Sequence, residues 1–424
     1  MRSHYKRIGD YVTQIKLKNT DDSISSLKGI NINKHFMPSV ANINGTDLSK
    51  YRVVKKNQFA FNPMHVGRDE VLPISMLEDD EPIIVSPAYV VFEVKDEEEL
   101  FPAYLMMWCR RSEFDRNAWF MTDNSVRGGF SWADFCDMEL PVPSIEKQRE
   151  IVREYNVVND RIALNEQLTQ KLEDTAQAIY KQWFVDFEFP ISKEYAESIG
   201  KPELEGKPYK SSGGEMEFCE ELEQDIPLSW KLVSFGELLK EKGYIRGPFG
   251  SALKKDDMVE EGVPVYEQQH AIGDHRNFRY FVSDSKFNLL KRFQVKLNDF
   301  VISCSGTIGS VTLIRDDDPL GIINQALLIL RLDEKKCNKY LFKAFLESKD
   351  GKNKLVENSV GSAQVNIAKR EVIQAIALPL PEINVQDAFA KSFKAIESHH
   401  RNLQIENDKL SLLVAVILSK MSKA

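Results

Sequence analysis

The feature that most constrains this chain is that it repeats itself at a fixed distance. Leu140-Pro141-Val142-Pro143-Ser144-Ile145 reads like Leu378-Pro379-Leu380-Pro381-Glu382-Ile383 at a constant offset of 238 positions, and Gln148 meets Gln386 at the same offset. Beyond these motifs the register continues without a gap. It pairs Ile151 with Phe389, Tyr155 with Phe393, Val158 with Ile396, Leu172 with Leu410 and Ile179 with Ile417. The second copy carries apolar residues every seven positions at Phe389, Ile396, Leu403, Leu410 and Ile417, with Phe393 and Leu413 widening the stripe. The first carries Ile151, Val158, Asn165, Leu172 and Ile179, with Leu168 beside them, and neither run contains proline or glycine.

A heptad row without helix breakers predicts a long helix seeking a coiled-coil partner. At 1.5 Å per residue, about 40 residues span about 60 Å. The cheapest partner for each helix is the other, since matched lengths and seams bury both stripes in one molecule. Asn165 either interrupts that seam, where a polar residue fixes register, or faces water on a slightly rotated helix.

The segments before the helices also echo each other. Tyr5–Asp10 resembles Trp230–Glu237, Val54–Phe59 resembles Val295–Phe300, and Asn124-Ser125-Val126 resembles Asn358-Ser359-Val360. Within them, β-branched and aromatic runs (Pro82–Val94, Asp299–Arg315, Leu320–Leu332) alternate with Gly, Asn and Asp turns, and brief helices are expected near Leu100–Arg111 and Tyr340–Ser348. The expected fold class is therefore α+β: two mixed globules separated by two long antiparallel coiled-coil helices, with a pseudo-twofold internal repeat. The expected boundaries are 1–143 for the first globule, 144–190 for the first helix, 191–226 for a linker or strap, 227–381 for the second globule and 382–424 for the second helix.

Composition narrows the class of protein. With 42% hydrophobic and 28% charged residues the 424-residue chain is globular in character. Its five cysteines are scattered without a C-x-x-C pair, which suits reduced thiols in a cytoplasm. Two early basic residues lack an apolar run behind them, so no secretory signal is read, and the stretch Leu412–Leu418 is too short to cross a bilayer. A net charge of -8 argues against a surface that grips nucleic acid everywhere.

The familiar catalytic patterns are incomplete. Asp79-Asp80 followed by Glu93-Val94-Lys95 imitates the acidic trio of metal-dependent nucleases, but charges bounding a strand explain it equally well. Asn62-Pro63-Met64 has the wrong residues for the amine-holding loop of an amino-methyltransferase, Gly306-Thr307-Ile308-Gly309 lacks the Lys-Ser/Thr of a phosphate loop and reads as a hairpin, and His399-His400 on a helix face different ways. Binding chemistry remains. The stretch from Lys240 to Lys296 interleaves Arg246, Lys254, Lys255, Arg276 and Arg279 with Phe249, Tyr266 and Tyr280, and Gln268 and Gln269 have the donor and acceptor sets that read base edges.

Taken together, these motifs resemble the DNA-specificity subunit of type I restriction–modification systems. The resemblance covers nearly the whole chain. It rests on the two Leu-Pro-x-Pro motifs with Gln148 and Gln386, on Tyr180-Lys181-Gln182-Trp183-Phe184-Val185-Asp186-Phe187-Glu188-Phe189-Pro190, on Pro208–Met216, and on Ile226-Pro227-Leu228-Ser229-Trp230. It implies two target recognition domains, each reading half of a bipartite site on double-stranded DNA, and a helix pair that sets their spacing and docks two modification (methyltransferase) subunits, with two restriction subunits joining the larger complex. It also implies no catalytic residue, metal or cofactor on this chain. S-adenosylmethionine would be bound by the modification subunits, and ATP and Mg by the restriction subunits, in a cytoplasmic defence against foreign DNA.

The residues expected to touch DNA are Lys34, Arg68 and Arg127 in the first globule, and Arg246, Lys254, Lys255, Gln268, Gln269 and Gln364 in the second. Two other readings stay open: a coiled-coil protein–protein scaffold indifferent to DNA, and a self-sufficient restriction enzyme.

Overall fold

Phe59-Ala60-Phe61 has no exposed residue, because it is the inner strand of an antiparallel sheet ordered Val12–Ile15, Val90–Val94, Phe59–Phe61, Ile74–Met76. The computed structural model describes residues 5–39, 46–64, 66–122, 129–358 and 365–423. It divides into unit 1, Met1–Asn165 with Glu406–Ala424, and unit 2, Glu166–Ile405. The architecture is α+β, and no helix of the described residues is long and apolar enough to cross a membrane.

Unit 1 places the helices Pro102–Cys109 and Ser112–Met121 over its sheet. Phe59 stacks on Phe92 with ring centroids 4.8 Å apart, and Phe135 packs on the same ring. In unit 2 the corresponding sheet is ordered Leu239–Arg246, Leu327–Leu332, Asp299–Ser303, Val311–Leu313, again antiparallel throughout. Its inner strand Leu-Leu-Ile-Leu-Arg-Leu is apolar on both faces because both are covered. Gly306–Gly309 forms the hairpin between Asp299–Ser303 and Val311–Leu313, with both glycines at positive φ. A second sheet, Met258–Val259, Phe281–Val282, Val263–Tyr266 and Ile322–Ile323, lies in the same unit, its last pair parallel.

Each globule closes where its long helix begins. In unit 1 Tyr5–Arg7 pairs antiparallel with Glu139–Pro141; in unit 2 Lys231–Ser234 pairs with Ala377–Leu380. The Leu-Pro of each motif is thus a strand that joins the first strand of its globule. Its prolines then start a helix: Ile145–Phe184 (40 residues) and Ile383–Lys420 (38 residues). On the first turn, Gln148 is fully buried. Its Oε1 accepts the Phe101 N–H at 2.8 Å, and its Nε2 donates to the carbonyls of Glu99 and Pro143 at 2.9 and 3.0 Å. Gln386, equally buried, does the same work: Oε1 accepts the Asn338 N–H at 2.8 Å and Nε2 donates to the Pro381 carbonyl at 2.8 Å. Phe101 and Asn338 are the residues that open the helices Pro102–Cys109 and Lys339–Glu347, so each glutamine ties a globular helix to a long one.

The stripe positions Ile151, Val158, Leu172, Ile179, Phe389, Ile396, Leu403, Leu410 and Ile417 are all buried or half-buried. Leu413 is different, at 43% exposure, and so does not widen the stripe. In unit 1 the two helices run antiparallel, Glu154 opposite Lys420 and Arg161 in a two-pronged pair with Glu406. Asn165 points inward, 1% exposed, and donates to Asn407 Oδ1 at 2.9 Å. In unit 2 they are again antiparallel, with Glu173 opposite His400 and the Phe184 ring edge-on to Phe389 at 4.8 Å. Buried Lys343 of the globule reaches Glu397 of the second long helix at 2.7 Å.

The segment after the first helix is packed as well. Phe189 stacks between Tyr209 and Trp230, and Phe184 and Phe187 meet the same Trp230, so Tyr180–Pro190 and Ile226–Trp230 share one aromatic cluster. A short helix, Lys193–Ser198, and a hairpin of Met216–Cys219 with Gln224–Pro227 complete the strap.

Removing Gln148 leaves a buried N–H and two carbonyls without their partner, and removing Gln386 leaves an N–H and one carbonyl, a loss that costs on the order of 1–3 kcal/mol in each case. Gln148→Ala should destabilise unit 1 by about that much and speed exchange of the Phe101 amide, leaving the Asn338 amide protected; Gln386→Ala should do the reverse. Urea denaturation with amide hydrogen exchange reads both.

Candidate nucleic-acid interface

Lys34 is not a surface cation. The backbone there is left-handed, φ 64°, and the side chain turns inward to 5% exposure. Its ammonium lies 2.7 Å from Asp115 Oδ1, donates to the Cys109 carbonyl and sits over the Phe114 ring. Burial pushes the lysine pKa down and Asp115 works against that shift. The expectation of a DNA contact at Lys34 is therefore corrected: the charge holds the helix Ser112–Met121 to the loop after Lys28–Ile30. Arg68 falls in the helical turn Val66–Asp69, but its side chain lies outside the described residues, as do Arg127 and Gln364 entirely. The nuclease-like trio is dispersed into separate contacts. Asp80 pairs with Lys56, Glu93 accepts from Gln58, and Lys95 donates to the carbonyls of Gly9 and Asp10.

Unit 2 gathers the remaining candidates on neighbouring loops. Arg246 ends its strand, half-buried, with one Nη1 buried and without a hydrogen-bond partner and its guanidinium 5.7 Å from the Phe249 ring. Burial lowers its pKa. Gly247 follows because a Cβ there would lie 1.9 Å from the Asn324 carbonyl oxygen, and Gly250 takes φ +61° to turn the loop. Lys254 and Lys255 are exposed beyond that turn. They line a recess of about 220 Å³ together with Glu267, Tyr280, Asn324 and Gln325. Gln268 Oε1 accepts from Ser305 at 3.0 Å, and Gln269 Nε2 donates to Glu267 Oε2 at 3.1 Å. Two of the expected positions, Lys254 and Lys255, thus line one recess, and Gln269 bonds the Glu267 carboxylate that lines it with them, whereas Gln268 turns to Ser305. Glu267, Asn324 and Gln325 carry no pattern of their own in the sequence, where Arg279 and Tyr280 stand only as part of a basic and aromatic stretch. The signal that could have found them is strand pairing, since the Val265 N–H donates to the Tyr280 carbonyl.

Other arginines are structural. Asp274, at a left-handed helix end with φ 46°, accepts from Arg315 at 2.5 Å, from Arg276 and from Thr312. Arg276 also reaches Asp318 at 2.7 Å, and Arg331 forks onto fully buried Asp299. Burial alone would raise the Asp274 pKa, but the two guanidinium groups outweigh it and hold the carboxyl down to about 2. A depressed carboxylate pKa stabilises the fold fully above its ordinary value, and that contribution is lost as pH falls through the folded value. Asp274→Asn should therefore cost on the order of 2 kcal/mol at neutral pH. Urea denaturation across pH should show this penalty shrinking between about pH 4 and pH 2; a penalty constant to pH 2 contradicts the assignment.

Comparison with known proteins shows what this chain is similar to. Residues 229–411 match the type I restriction modification DNA specificity domain. The chain is 22% identical over 434 aligned positions to the type I restriction enzyme HindI specificity subunit of Haemophilus influenzae, covering 92% of this chain and 91% of that one. It is 27% identical over 112 positions to the MjaIX specificity subunit of Methanocaldococcus jannaschii, which involves 26% of this chain. Among solved structures, the S subunit of a type I restriction–modification system from M. genitalium shares the fold with a TM-score of 0.54 at 12% identity, over 98% of this chain and 95% of that one. By these matches the chain is similar to the DNA-specificity subunits of type I restriction–modification systems.

Proposed function

We propose that this chain is the non-catalytic address-reading subunit of such a system. The globule of each unit reads one half of a bipartite site on double-stranded DNA, and the two long helices, acting as one antiparallel coiled coil, set the spacer between the halves. The observation that carries this reading is the equivalence of the two helix roots: the same strand pair and the same buried glutamine fasten each globule to a helix of about 40 residues. A lever of about 60 Å is commensurate with one or two turns of B-DNA at about 34 Å each.

The helices also present apolar side chains to solvent. Val157 and Leu164 on the first, and Leu412 and Val416 on the second, are 50–70% exposed in unit 1, which supports a protein surface laid against them. The proposed occupants are two methyltransferase subunits, which bind S-adenosylmethionine; two restriction subunits, which use ATP and Mg, complete the assembly in the cytoplasm. The overall charge of -8 does not oppose DNA binding. Residues 227–380 hold 23 Lys and Arg against 19 Asp and Glu, whereas Glu215, Glu217, Glu220, Glu221, Glu223 and Asp225 crowd the strap.

The ruler is tested by adding seven residues to both long helices at matched positions. Coexpressed with the neighbouring modification subunit and challenged with a randomised duplex library, the lengthened chain should select the same two half-sites with a changed spacer. An unchanged spacer refutes the ruler, and absence of any selected sequence in the unaltered complex refutes DNA reading itself.

A further inference from the structure

Arginines in unit 2 meet carboxylates in two distinct ways. In Arg276–Asp318 and Arg331–Asp299 both side chains are withdrawn, at 10% against 1% exposure and 17% against 0%. Those pairs hold strands and loops together. Arg279 is held by a carboxylate of the same kind, Glu267 at 9% exposure, yet its own side chain is 63% exposed. An ordinary surface ion pair contributes little because both partners are mobile. Here one partner is fixed, and it fixes the other.

The fixing can be followed atom by atom. Glu267 follows Val263–Tyr266, and its N–H donates to Nδ1 of His270 at 2.8 Å. His270 is fully buried, stacked on Phe278 at 4.5 Å, with Nε2 held by the Asn277 carbonyl at 3.0 Å. Gln269 steadies the carboxylate itself through Oε2. Onto this carboxylate Arg279 places Nε at 2.9 Å from Oε2 and Nη2 at 2.9 Å from Oε1, while the guanidinium lies over the Tyr280 ring at 4.9 Å. The group is held along one edge and against one face.

A guanidinium has five N–H donors in one plane. Glu267 takes two of them, from Nε and one side of Nη2. The other three have no partner among the described residues, and two of these, one each on Nη1 and Nη2, are parallel on the edge directed away from Glu267. That edge matches the O6 and N7 acceptors of guanine in a major groove. A phosphate also accepts such a pair, but the Arg279–Glu267 unit is net neutral, and the carboxylate repels a phosphate oxygen. The pairing thus gives up long-range attraction and keeps direction, which suits a base edge. The charge for phosphate is supplied next door by exposed Lys254 and Lys255, which line the same recess as Glu267 and Tyr280.

We propose that Arg279 reads a guanine in the half-site of the second globule, with Glu267 as its positioning residue. The proposal rests on the DNA-reading function above. It is tested on the full chain in complex with its modification subunit, using the site selected by the unaltered complex and duplexes in which each G·C pair of that site is replaced in turn. Arg279→Lys keeps the charge and loses the fork. It should weaken cognate binding roughly 5- to 150-fold and abolish discrimination at one G·C position, with random duplex changed less than about twofold. Glu267→Gln should relax the same position and no other, and Lys254→Ala should weaken cognate and random duplex alike. Equal losses on both duplexes for Arg279→Lys make it a phosphate contact and overturn the proposal, as does unchanged discrimination at every G·C pair. If the unaltered complex binds all duplexes equally, the DNA-reading function fails first, and that is visible before any variant is made.

Discussion

Gln148 and Gln386 are sealed from solvent on the first turn of the long helices, and the placement of each globule is referred to them. A buried amide with its donor and acceptor engaged on two separate backbone segments allows one orientation of its surroundings. In unit 1 it joins the end of the globule, the start of the helix Pro102–Cys109 and the start of the long helix; in unit 2 it repeats this at Asn338 and Pro381. A globule joined to a long helix keeps one orientation only if the helix does not turn at its root. These glutamines, with the Leu-Pro strands beside them, make that root stiff.

Along the helices the same economy of polar contacts recurs. Asn165 costs apolar burial in the stripe, and its bond to half-buried Asn407 means that any other register leaves the buried Asn165 amide without this partner. Lys343 between Glu347 and Glu397 pins the globule of unit 2 to the second long helix. Burial opposes the lysine's charge and the two carboxylates more than restore it, so the pKa is raised.

Much of this was legible in the chain. Local rules found the long helices, because an unbroken heptad row without proline or glycine permits little else, and they found the inner strands, because Leu327–Leu332 and Val90–Val94 are short, apolar and bounded by turns. Matching motifs singled out Gln148 and Gln386 without saying why glutamine was needed. What local rules could not find is which charges are already spent. Lys34 looks like a free cation until Asp115, 81 positions away, is brought beside it. Arg279 looks like any surface arginine until strand pairing brings Glu267, 12 positions away, into a fork with it. Arginine, lysine and glutamine announce binding by type, but the partner that fixes or removes each one comes from a distant part of the chain. The stretch from Ile191 to Gln224 shows the same limit. Its polar composition leaves a linker or a strap open, and a few aromatic residues clustering on Trp230 are enough to pack it.

In the proposed function each globule specifies one half of a divided site independently of the other. The direct measurement is to replace residues 227–381 with the corresponding globule of a relative that selects a different sequence, keeping both long helices, and to determine the site selected by the chimaeric complex from a randomised duplex library. One half-site should be unchanged, the other exchanged for the relative's, and the spacer the same. Alteration of both half-sites, or of neither, would contradict that function.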